Sequence, residues 1–227
     1  MPIDDALANL TSAKIDFIKL EEVEEVRFST DDVEYYNIEF ATNGTVYDVM
    51  NQIKADNNIK LTLRDTVGLV NKLGNPSFSN QGFWDVFIDK YNRRGLYTDT
   101  AILYVPNEGV YVKDHFEFDD SGIPIMNRDE LAEQVKNCDP NVRFAEYDFK
   151  IGKMSREDFI NNSFTKALFG NGPITIPLAI DNKNPILQTY SGLEKFDGSG
   201  VSKPVIHSPI VISEHDFNFT IMTDYAF

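Results

Sequence analysis

The stretch TAILYVPNEGVYVKDHFEFDD, residues 100–120, decides how the chain folds. Ile102 to Val105 is an apolar run, Pro106-Asn107-Glu108-Gly109 is a link, and Val110, Val112, Phe116 and Phe118 lead back out. β-Branched and aromatic residues suit a pleated, half-buried surface. A four-residue link with Pro first and Gly last predicts an antiparallel hairpin closed by a type I turn.

The flanking chain alternates between strand and helix signals. On the N-terminal side, residues 3–13 predict a short helix, and Tyr36, Ile38 and Phe40 alternate with polar residues as a half-buried strand does. Asn43-Gly44 marks a turn. Val46, Val49, Met50 and Ile53 then share a helical face, and Ile59, Leu61 and Leu63 predict another strand. Phe83, Trp84, Phe87, Ile88 and Tyr91 recur at helical spacing, with Gly95 as a stop. Beyond the hairpin, Asn127 and Ser155 each precede an acid by three residues, the signature of a helix start. Between those helices, NVRFAEYDF reads as a strand.

After Gly170 the composition shifts. Prolines at 173, 177, 185, 204 and 209 punctuate short apolar runs, as in edge strands and extended arms. The expected organisation is an α+β domain over residues 1–170, then a strand-rich, Pro-containing C-terminal region over 171–227. That region packs on the same core or on a neighbouring subunit. A mixed or antiparallel sheet with several short packing helices is the expected fold.

Charge limits the partners. With 36 acidic and 21 basic residues the net charge is -15. Nucleic-acid binding draws most of its affinity from Lys and Arg on phosphates, so nucleic acid is not an expected partner. The same charge argues against anionic membranes. Cys138 is the single cysteine, which removes intramolecular disulfides and every zinc site needing two cysteines. MPIDDALANL offers neither a basic start nor an apolar h-region, so a reducing cytoplasm, or a particle assembled there, is the expected compartment.

Chemistry-bearing residues are sparse. His115 and Glu117, two apart, can share one face of a strand, and His215 stands between Glu214 and Asp216. Together His115, Glu117 and His215 are the candidate ligands of a divalent cation. The H-x-E spacing at His115 lacks the P-C-x-x-C partner of zinc deaminases. FDGSGVSKP lacks the order of a phosphate loop. No organic cofactor and no catalytic residue is expected.

The strongest pattern lies in the last residues. Phe217, Phe219, Ile221, Tyr225 and Phe227 occupy alternate positions of one strand, giving it an aromatic face. These are the candidate interaction residues, whether the strand closes its own sheet or is added to a neighbour's. The sequence therefore favours a non-enzymatic structural or assembly subunit of a larger particle, concretely a virion component of a phage tail, neck, baseplate or capsid. It would act as a homo-oligomer or among other structural proteins. Two alternatives stand beside this reading: a metal-dependent hydrolase using the His115 and His215 clusters, and a soluble ligand-binding module using the Trp84, Phe87 and Tyr91 stripe.

Overall fold

The computed structural model of the chain describes residues 16–20, 38–42, 46–73, 96–170, 185–188, 205–213 and 219–226. The expected helices at 3–13 and 83–91 and the turn at Asn43 lie outside these residues. The chain is mixed α+β, and it divides into two units, Met1–Leu61 and Thr62–Phe227. The compositional change near residue 170 does not coincide with that division.

In the first unit, β1 (Asp16–Leu20) lies between β2 (Ile38–Thr42) and β3 (Ile59–Lys60), antiparallel to both. Helix α1 (Val46–Ala55) buries Val49, Met50 and Ile53, the face that its spacing predicts. It ends in a left-handed residue, Asn57, at φ 55°. Asn57 N–H donates to Lys54 O at 3.2 Å and Asn58 N–H to Ile53 O at 2.9 Å, the paired bonds of a Schellman cap.

In the second unit the expected strand stops short of Leu63. Leu63 does not continue a strand; it starts helix α2 (Leu63–Leu73). Asp65 N–H donates to Thr62 Oγ1 at 3.2 Å, and Thr62 N–H donates back to Asp65 Oδ2 at 3.3 Å. This reciprocal box satisfies two donors that a helix start leaves open. Leu63, Thr66 and Val67 then point inward at helical spacing.

An eight-stranded sheet organises the unit. Its members are β4 (Leu96–Tyr97), β5 (Thr100–Val105), β6 (Gly109–Asp114), β7 (Val142–Glu146), β8 (Gly152–Lys153), β9 (Ile186–Gln188), β10 (Val205–Ser213) and β11 (Phe219–Ala226). The order is β7-β6-β5-β10-β11-β9-β8, with β4 also on β10. Among the described residues all pairs are antiparallel except β9 with β11. β10 lies inside the sheet despite Pro209. The proline falls between the segments that pair with β5 and β4, and the register to β11 shifts between Ser208 and Ile210. A missing N–H is tolerated where the ladder is already interrupted.

The hairpin forms as expected, with Tyr104 opposite Val110 and Ile102 opposite Val112. Its turn differs. Glu108 N–H donates to Val105 O at 3.2 Å, and Asn107 is left-handed at φ 59°. Proline second and a left-handed residue third make a type II corner, which asparagine accommodates. Gly109 follows at φ 153°, where a Cβ would stand 2.2 Å from Ala145 O, so only glycine fits. All six residues of β5 are buried, which requires cover on both faces.

Short helices supply part of that cover. α3 (Arg128–Lys136) packs against β7, and α5 (Ser163–Phe169) against β6, β7 and α2. α3 is capped by Asn127 and α4 (Arg156–Asn161) by Ser155, as their spacing predicts. Asn162 separates α4 from α5 and caps the latter, its Oδ1 accepting from Phe164 and Thr165 N–H. Tyr104 and Phe164, fully buried, meet edge to face at 6.1 Å. Among the described residues, no helix is long and apolar enough to cross a membrane.

Candidate functional site

His115 does not continue β6. It takes a left-handed conformation at φ 53°, immediately after the strand ends at Asp114. The extended geometry that would put His115 and Glu117 on one strand face is therefore absent. His115 N–H donates to Asp99 O at 2.9 Å, and its Nδ1 lies 2.9 Å from Asp99 Oδ2. Two bonds to one residue fix both the backbone and the ring. Asp99 is 1% exposed, whereas the His115 side chain is 55% exposed.

Asp114, the neighbour of His115, anchors a second arm. Its Oδ1 accepts from Thr100 Oγ1 at 2.7 Å, and its Oδ2 faces Arg143 Nη2 at 2.7 Å. Thr100 Oγ1 in turn accepts from Leu63 N–H at 2.9 Å, satisfying a donor in the first turn of α2. Arg143 reaches further, its Nε to Ala167 O and its Nη1 to Pro140 O at 3.1 Å. One connected polar network thus joins α2, β5, β6, β7 and α5.

The groups respond to this packing in predictable ways. The hydrogen bond to Asp99 holds the His115 imidazole above its ordinary pKa, against the opposing effect of burial. Burial pushes the Asp114 carboxyl up, opposed by Arg143 and by Thr100. A carboxylate that fixes Nδ1 of a half-exposed imidazole is the arrangement used to orient a general base or a metal-binding histidine. It equally closes a strand end. Among the described residues there is no group of three or more His, Cys, Asp and Glu placed to hold a metal ion. His215 lies outside the described residues.

The C-terminal candidates divide likewise. Phe219, Ile221 and Tyr225 stand in β11, opposite Ser213, Val211 and Ser208 of β10. Phe217 and Phe227 lie outside the described residues. Described pairing of β11 with β9 covers only Thr220–Met222, although β11 runs to Ala226.

A further surface had no signal of its own in the sequence. Residues 117–125 fold into a tight loop in which Asp119 Oδ1 accepts from Ser121 N–H at 2.8 Å and Ile123 N–H at 3.0 Å. Asp119 N–H donates to Ile123 O at 2.8 Å, and Ile125 N–H to Glu117 O at 2.7 Å. Phe116 is buried and stacks edge to face on Phe118 at 5.0 Å. Residues then alternate: Pro124 and Met126 turn inward, while Ile123 and Ile125 are 45% and 42% exposed. Sequence periodicity is silent over so short a segment.

No protein-family model matches the chain, and neither curated proteins nor solved structures provide a match.

Proposed function

We propose that the chain is a non-enzymatic structural subunit of a larger protein particle, with a virion component assembled in the cytoplasm as the concrete form. The observation that carries this reading is the Ile123–Ile125 loop. Two large aliphatic side chains are held outward by a hydrogen-bonded backbone, so little entropy remains to be lost when a partner covers them. Exposed apolar side chains on a rigid support are what a protein contact uses.

Three features agree with it. The polar network around Asp114 and Arg143 uses its groups to tie elements together. On its side away from β10, β11 pairs with β9, among the described residues, only over Thr220–Met222, and the rest of that side is where a neighbour's strand can add. On this reading Phe217, Phe219, Ile221, Tyr225 and Phe227 are the interaction residues, with Phe219 and Ile221 in one register opposite Ser213 and Val211 and Tyr225 beyond the register shift, opposite Ser208. Finally, the charge of -15 keeps the free subunit soluble until contacts form.

The first partner on this account is a second copy of the chain. Sedimentation of the wild-type chain and of an Ile123→Asp, Ile125→Asp variant tests it, because only the wild type should associate.

A second reading rests on His115 and Asp99. That pair is the oriented imidazole a metal-dependent hydrolase needs, with His215 and Glu117 as the remaining candidate ligands. Stoichiometric uptake of a divalent cation by a strictly monomeric chain, lost on His115→Ala, would favour it over assembly.

A further inference from the structure

Ile151 is the most exposed large apolar side chain among the described residues of the second unit, at 52%, and Ile123 and Ile125 are the others. Its backbone is anchored on both sides. Phe149 packs its ring against buried Phe164, with centroids 4.7 Å apart, and Asn162 Nδ2 donates to Lys150 O at 2.6 Å. Gly152 and Lys153 pair with Leu187 and Ile186 of β9, and the buried Met154 donates its N–H to Pro185 O at 3.1 Å. Pinned neighbours therefore hold the Ile151 side chain outward, as the loop bonds hold Ile123 and Ile125.

The two surfaces differ in charge. Residues 149–156, FKIGKMSR, hold Lys150, Lys153 and Arg156 and no acid, in a chain of net charge -15. Lys150 and Lys153 are exposed, and the contact from Lys150 Nζ to Asp158 is long, at 3.9 Å. Asp158 is itself engaged by Ser155 in the cap of α4. Residues 117–125, EFDDSGIPI, hold Glu117, Asp119 and Asp120 and no base, and all three acids are exposed. Asp119 accepts from its own loop, so Glu117 and Asp120 are the acids that would face a partner. Each surface sets aliphatic side chains beside charges of one sign, and the signs are opposite. Within one copy neither surface covers the other, since all three isoleucines are exposed.

An apolar contact flanked by complementary charges fixes both the partner and its register. We propose that the surface of Lys150, Ile151 and Lys153 is the seat for the Ile123–Ile125 loop of a second copy, so that chains join head to tail. This rests on the assembly reading and names the surface that receives the loop. A contact between two different patches is heterologous: it repeats from copy to copy, giving a ring where the rotation closes and a filament where it does not. A loop meeting the same loop would instead bring Glu117 and Asp120 of one copy against those of the next, which like-charge repulsion opposes. Salt acts unequally on the charges involved. The net repulsion between copies acts over distance and is screened, whereas pairs enclosed in a contact are screened much less.

Sedimentation velocity of the full chain tests it, at a salt concentration where the wild type assembles, with two variants that each disable one surface. Ile123→Asp with Ile125→Asp disables the loop, and Ile151→Asp with Lys153→Glu disables its seat. Each variant alone should be monomeric, with unchanged circular dichroism. Mixed in equal amounts they should form a two-chain species and nothing larger, because each such pair restores one intact contact. Lys150→Gln with Lys153→Gln, which keeps Ile151, should weaken association about tenfold; unchanged association there would overturn the charge complementarity. A seat variant that assembles like the wild type, beside a monomeric loop variant, would overturn the seat and leave assembly through the loop standing. Two monomeric variants that stay monomeric when mixed would overturn the head-to-tail pairing. A wild type that assembles at no salt concentration would overturn the assembly reading and this inference with it.

Discussion

Asp114 at the end of β6 and Arg143 in β7 face each other at 2.7 Å, with side chains only 12% and 15% exposed. Neither group has much water to fall back on. Arg143 also donates to the carbonyls of Ala167 and Pro140, so its guanidinium joins the end of α5 to the loop before β7. Removing Arg143 leaves a poorly solvated carboxylate together with unfilled carbonyls. Arg143→Met should lower unfolding free energy by about 3 kcal/mol, measured by urea titration. Asp114→Asn in the Arg143→Met background should recover part of that loss, because the stranded charge is gone. Equal stability of the single and double variants would show that the pair is not coupled.

His115 gives a pH signature. Its pKa is raised in the fold, by Asp99 first. A group raised above its unfolded value stabilises fully below that value, about 6.5, and loses its contribution as pH rises through the folded value. The raised Asp114 carboxyl acts in the same direction at lower pH, since the fold disfavours its charged form. His115→Asn keeps a residue that tolerates the left-handed backbone but removes the titration. The stability difference between wild type and His115→Asn should be largest near about pH 5.5 and shrink as pH rises toward about 9. A difference constant across that window would contradict the assignment.

Cys138 occupies an unusual place. It is exposed and left-handed at φ 57°, directly after the last residues of α3. Cys138 N–H donates to Val135 O at 3.1 Å and Asp139 N–H to Gln134 O at 3.0 Å, again the Schellman pair. Glycine takes this conformation without steric cost. Cys138→Gly should raise stability by about 0.5 kcal/mol, read as a small increase in the urea midpoint. Loss of stability would mean that the thiol contributes packing that its exposure does not reveal.

These particulars show where the sequence was legible. The hairpin at 100–114, the helix at 46–55 and the caps at Asn127 and Ser155 follow from residue spacing, because each reports a local rule. Leu63 alternates with Ile59 and Leu61 as a strand residue would, while Thr62 and Asp65 form a capping box, and one step of sequence satisfies both patterns. The turn type hinged on Asn107 accepting φ 59°, which composition does not fix. At His115 a strand pattern carried past Asp114, although the backbone turns left-handed to meet Asp99. Asp99, Thr100 and Arg143 were invisible as a set, since they are brought together only by pairing across β5, β6 and β7.

The assembly proposal is tested most directly by sedimentation velocity across salt. Copies bearing a charge of -15 repel at low ionic strength, while an apolar contact through Ile123 and Ile125 does not depend on charge. Screening shortens the reach of that repulsion from about 10 Å at 0.1 M to about 3 Å at 1 M salt. The wild-type chain should therefore move from monomer toward a defined oligomer as salt rises, and the Ile123→Asp, Ile125→Asp variant, with unchanged circular dichroism, should remain monomeric. A wild-type chain that stays monomeric at every salt concentration would contradict self-assembly through this loop.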